Sequence, residues 1–97
     1  MQMKNYKLEN LESGYTITTS ERGNSMVPLI KSGQKHVLTP ATCEDVKVKD
    51  IVYCKVNGKF YTHLVKSKGE KGCLIGNNKG NINGWTKCIY GKVIEVL

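Results

Sequence analysis

Hydrophobic and polar residues alternate in short runs along most of this chain, and glycine, proline or asparagine closes nearly every run. A period of two is the signature of strands, because successive side chains point to opposite faces. "GYTITT" (14–19) puts Tyr15 and Ile17 on one face and predicts a short strand. "KHVLTP" (35–40) predicts a second, ending at Pro40. "ATCEDVKVKD" (41–50) is polar and reads as irregular, with Val46-x-Val48 as its one brief pairing segment.

The clearest element follows. "IVYCKV" (51–56) and "KFYTHLVKS" (59–67) flank Asn57-Gly58, which predicts a hairpin with a type I′ turn, since that turn needs positive φ twice. On the return strand Phe60, Thr62 and Leu64 share one face, and Tyr61, His63 and Val65 share the other. "CLIG" (73–76) predicts another strand, "NNKGNING" (77–84) a loop, and "KCIYGKVIEVL" (87–97) a last long strand with Gly91 at a bend or bulge. Only "SMVPLIKSG" (25–33) suits a turn of helix, and residues 1–21 read as an N-terminal strand or extension. The pattern predicts one all-β domain over residues 1–97, a sheet of short strands with one short helical turn at Ser25.

Composition narrows the picture. Ninety-seven residues give room for one core and one shallow site. The formal net charge is +7, and every basic residue except Arg22 is a lysine. Such a charge attracts nucleic acid, acidic proteins or anionic surfaces, but the lysines are scattered and base readers lean on arginine. A basic nucleic-acid-binding β-barrel, with Tyr53, Tyr61 and Trp85 as stacking groups, stays open as a third reading.

The cysteines at 43, 54, 73 and 88 include no C-x-x-C pair, so no zinc site and no cofactor is expected. Cys54 and Cys73 fall in apolar strand patterns and read as small core residues. No apolar run has membrane-spanning length and "MQMKNYKLENLESG" has no signal-peptide core, so the expectation is a cytoplasmic protein with reduced thiols.

Ser25 is the first residue that chemistry would use. In "ERGNSMVPLIKSG" it follows Gly23 and Asn24 and precedes Met26, a setting that fixes one hydroxyl on a turn. Gly23 lets a backbone approach closely, Met26 packs beneath the turn, and N–H groups around Ser25 are candidate oxyanion donors. The plain alternative is a serine that caps the turn. His63 is the candidate general base, with His36 and Lys66 as competitors and an idle strand histidine beside Tyr61 as the plain reading. The carboxylates Glu12, Glu21, Glu44, Asp45, Asp50, Glu70 and Glu95 are available to orient an imidazole, and the sequence selects none of them.

"GNSMVPLIKSGQ" resembles the serine box of the signal peptidase and LexA-type serine peptidases, G-x-S-M-x-P followed by a turn. "VKVKDIVYCKVNGKFYTHLV" is similar to the second box, whose return strand brings the general base. His63-Leu64-Val65 resembles the histidine-base variant of that family. "LIGNNKGNINGWTKCIYGKVIEV" resembles the third box, Gly-Asp-Asn followed by an acidic residue and a Gly-Lys-Val strand. The resemblance implies a serine endopeptidase-like domain with Ser25 as nucleophile and His63 as base, supported by Gly23, Asn24, Met26 and Asn77, acting on a protein or peptide substrate.

The chain departs from the pattern at three places. Asn77 stands at the family's aspartate, the later acidic position falls on Asn81 or Asn83, and Leu64 replaces an arginine. A Ser-His dyad is therefore implied, with a degenerate peptidase-fold module that binds peptides or acts in assembly as the alternative. No Ala-Gly pair precedes the serine box, so self-cleavage of the LexA kind is not expected.

Overall fold

The structure, a computed structural model, describes residues 5–97. The described chain forms one helix and seven strands: α1 (Tyr6–Glu12), β1 (Ile17–Thr19), β2 (His36–Pro40), β3 (Ile51–Val56), β4 (Lys59–Gly69), β5 (Gly72–Gly76), β6 (Ile82–Thr86) and β7 (Ile89–Val96). The strands make a single antiparallel sheet in the order β1-β2-β7-β3-β4-β5-β6. The protein is all-β. Among the described residues no helix is long and apolar enough to cross a membrane.

The hairpin forms where the sequence places it. Asn57 and Gly58 have φ of 49° and 82°, and Val56 faces Lys59 across the turn. β4 runs on two residues beyond the predicted end, to Gly69. Its alternation decides the packing: Tyr61 and Val65 join the larger core around Val52, Cys54, Cys73 and Ile75, while Leu64 packs with Met26 and Ile30. The sheet curls strongly enough that β6 returns to β3, where the Thr86 hydroxyl donates to the Lys55 carbonyl at 2.6 Å.

Four expectations are corrected. Residues 6–12 form a helix rather than extended chain, capped by the Asn5 side chain accepting from the Leu8 N–H at 3.0 Å. Its Leu11 is buried with Leu38 and Tyr53. The first strand spans only 17–19. Val46 and Val48 form no strand: Val46 is buried at 3% exposure in the core, and Val48 stands out at 45%. The loop after β5 ends early, because Ile82, Asn83 and Gly84 belong to β6.

At Ser25 the chain makes tight turns and no helix; one i+4 hydrogen bond, Ile30 N–H to Met26 carbonyl at 3.0 Å, marks the single helical turn. Gly91 lies beside a register shift between β3 and β7. A Cβ there would stand 3.0 Å from the Thr39 carbonyl oxygen and 3.1 Å from the Leu11 methyls, so α1 can settle on the sheet only over a glycine.

Candidate active site

The serine turn is fixed from several sides. Gly23 has φ of +127°, which a side chain would strain, and its N–H donates to the Ser32 hydroxyl at 3.1 Å. The Asn24 carbonyl accepts from the Val27 N–H at 3.3 Å. Beneath the turn, Met26 and Ile30 are buried against Leu64, the neighbour of His63 on β4, with Ile51 and Val93 closing the cluster. From the far side the 77–81 loop holds it: the Asn78 backbone N–H donates to the Ser25 carbonyl, and the Asn78 side-chain amide to the Val27 carbonyl, both at 3.0 Å.

This clasp brings the Ser25 Oγ to 3.1 Å from His63 Nε2. The hydroxyl therefore bonds an imidazole rather than capping its own turn. His63 is 8% exposed, faces Val52 in the β3–β4 register and stacks on Tyr61 with centroids 5.0 Å apart. Its other nitrogen, Nδ1, lies 2.7 Å from Asn83 Oδ1. An amide oxygen only accepts, so Nδ1 carries the proton and Nε2 presents a lone pair to the Ser25 hydroxyl.

Asn83 reaches His63 because of a bulge. Ile75 faces Gly84 and Gly76 faces Ile82, which leaves Asn83 as the extra residue between them. A bulge re-aims the side chain it carries, and here it turns the amide toward the imidazole. Gly84, with φ of +136°, supplies the backbone that the bulge needs. Asn77 makes no hydrogen bond to the imidazole. Its Oδ1 accepts from the Lys79 and Asn81 N–H groups, at 2.8 and 3.0 Å, and so folds the loop that clasps the serine turn.

The remaining expected groups divide. The Gly23 N–H is taken by Ser32, and a Cβ at Gly23 would meet no protein atom within 4 Å, so within the fold its glycine answers the backbone angle. No acceptor among the described residues takes the N–H of Ser25 or Met26, which leaves both donors beside the hydroxyl. Asn24 contributes backbone only. His36, the competing histidine, bonds the Gln34 carbonyl through Nδ1 at 3.1 Å and does not touch Ser25.

One acidic group that the sequence did not single out stands close by. Glu21 accepts from the Thr62 hydroxyl and pairs with the Lys7 ammonium at 2.9 Å. Burial works against its charge, but these two hydrogen bonds and the Lys7 charge hold its carboxyl below the usual carboxylate range. Glu21, Ser25 and Thr62 line one small pocket of about 40 Å3. Compared with protein-family models and with curated proteins, the chain finds no match.

Proposed function

We propose that this domain is a serine endopeptidase in which Ser25 is the nucleophile, His63 the general base and Asn83 the group that orients the imidazole. One observation carries the reading: the continuous hydrogen-bonded line from Ser25 Oγ through the His63 ring to Asn83, at 3.1 and 2.7 Å. A serine needs a rigid mount, a base within reach and donors for the developing oxyanion, and each has a candidate here.

In the proposed reaction, Ser25 Oγ attacks the carbonyl carbon of a peptide bond while its proton passes to His63 Nε2. The oxyanion is met by the N–H groups of Ser25 and Met26. As the C–N bond breaks, the leaving amine takes the proton from Nε2. Water then attacks the acyl-serine, giving its proton to Nε2, and Ser25 Oγ recovers it as the acid departs. Asn83 holds the ring in the productive tautomer, although an amide stabilises the imidazolium less than a carboxylate would. Substrate backbone would extend along an edge strand of the sheet, and β6, which carries Asn83, is an edge.

The degenerate binding module predicts that Ser25 and His63 stand apart, so their contact supports the peptidase reading over it. The test is hydrolysis of a mixed peptide pool by wild type and by Ser25→Ala. The expected result is loss of all cleavage in a variant with an unchanged circular dichroism spectrum. Cleavage that persists at the wild-type rate would remove the mechanism.

A further inference from the structure

The pocket beside Ser25 has a chemistry of its own. Its floor is apolar, from Met26 and Ile30, but its walls carry Glu21, Thr62 and His36. His36 is 1% exposed and sits on β2. Its Nδ1 faces the Gln34 carbonyl, which only accepts, so in the neutral ring the proton is on Nδ1 and Nε2 is left as a bare acceptor. That Nε2 is buried and has no hydrogen-bond partner among the described residues. A buried acceptor without a donor is costly, so such an atom beside a pocket marks where a donor belongs.

We infer that this pocket is a specificity pocket for a small, neutral, hydroxyl-bearing side chain, serine or threonine, with His36 Nε2 accepting the hydroxyl proton. The inference deepens the peptidase reading and rests on it for the meaning of the site. Ser25 lines the pocket, and the inference assigns the side chain that enters to the residue whose carbonyl Ser25 attacks. The volume, about 40 Å3, suits a hydroxymethyl group better than an aromatic or long aliphatic one.

Charge excludes a basic side chain, because Arg22 and Lys31 stand at the pocket and Lys7 already pairs with Glu21. An ionised carboxylate, which only accepts, would meet the bare acceptor at His36 Nε2. Alanine would fit but would leave Nε2 unpaired. Sites built around a hydrogen bond discriminate against the analogue that lacks it, here by about ten-fold.

Two amidated tetrapeptides test this on full-length Ser25→Ala protein, where no cleavage intervenes: acetyl-Ala-Ala-Ala-Ser-amide and its all-alanine counterpart. Binding is followed through the 15N resonances of the His36 imidazole. The expected result is about ten-fold tighter binding of the serine peptide, with a shift of the His36 Nε2 resonance that the alanine peptide does not produce. Equal binding, no binding of either, or a His36 resonance that ignores both would overturn the inference.

A His36→Phe variant that keeps its circular dichroism spectrum should lose the preference and bind the two peptides equally; a serine preference that survives would overturn the inference. The peptidase reading is judged separately, by wild-type cleavage. Selective serine binding without any cleavage would keep the pocket and remove the peptidase, and cleavage without serine preference would do the reverse.

Discussion

His63 Nδ1 lies 2.7 Å from Asn83 Oδ1, and this contact joins the hairpin to the far edge of the sheet together with the Thr86–Lys55 bond. It sets the imidazole tautomer, and through it the direction in which the Ser25 proton can move. Asn83 is placed there by the β5–β6 bulge, and His63 is its one side-chain hydrogen-bond partner among the described residues.

Asn83 should therefore matter to rate more than to stability. Asn83→Ala is expected to lower kcat by about one to two orders of magnitude, the range of a lost general-base orientation, with little change in KM. Asn83→Asp should match or exceed wild type, since a carboxylate orients the ring equally and stabilises the imidazolium better. Steady-state kinetics on one peptide would check both. Equal loss in the two variants would mean that Asn83 acts through folding alone.

Glu21 gives the fold an acid-sensitive contact. Its carboxyl is held below the usual range, so the folded state favours the charged form. The resulting stability is present above the unfolded pKa and is lost as pH falls through the lower, folded one. Glu21→Gln should cost about 1 kcal/mol at pH 7, a charge-assisted hydrogen bond discounted for solvent screening, and nearly nothing well below pH 4. Urea unfolding of both proteins across that range would check the sign.

The thiols should react in an order set by burial. Cys88 is exposed, whereas burial pushes the Cys54 thiol up to about 12, and burial with the Cys43 contact does the same for Cys73. With iodoacetamide at pH 8, Cys88 should be modified first and Cys54 and Cys73 only after unfolding. Mass spectrometry of timed samples reads the order directly.

Gly76 tests the clasp on the serine turn. A Cβ there would stand 2.6 Å from the Asn81 carbonyl oxygen, inside the loop whose Asn78 holds Ser25 and Val27. Gly76→Ala should displace that loop, lowering kcat by about ten-fold or more, since small misplacements of a nucleophile are costly. The corresponding loss of stability should be about 1–3 kcal/mol, the scale of overpacking.

Much of the sheet was legible because its signals are local. Asn57-Gly58 fixes the hairpin's turn and register, and register alone decides that His63 faces Val52. Helix α1 carried a signal as well: Asn5 as cap, Leu8 and Leu11 three apart, and Gly14 with φ of 90° after the last turn. A helix this short is stabilised by docking Leu11 on the sheet, a tertiary event that periodicity does not register.

The third site residue was hidden for a related reason. In "NNKGNING" the asparagines look alike, and the resemblance put one acidic position on Asn77 and left the later one between Asn81 and Asn83. Which amide reaches the imidazole depends on a bulge between two strands, a cross-strand property with only Gly84 as its trace in the sequence. His36 was visible as a histidine, but its unpaired nitrogen appears only when the pocket is assembled.

The most direct test of the central claim is the site of covalent labelling by a fluorophosphonate. The serine oxygen attacks phosphorus, fluoride leaves, and the hydroxyl proton passes to the base, so only an activated serine reacts at low reagent concentration. Peptide mapping by mass spectrometry should find the adduct on Ser25 in wild type and almost none in His63→Ala. Labelling of Ser25 no faster than that of the other serines, or equally fast without His63, would contradict the account.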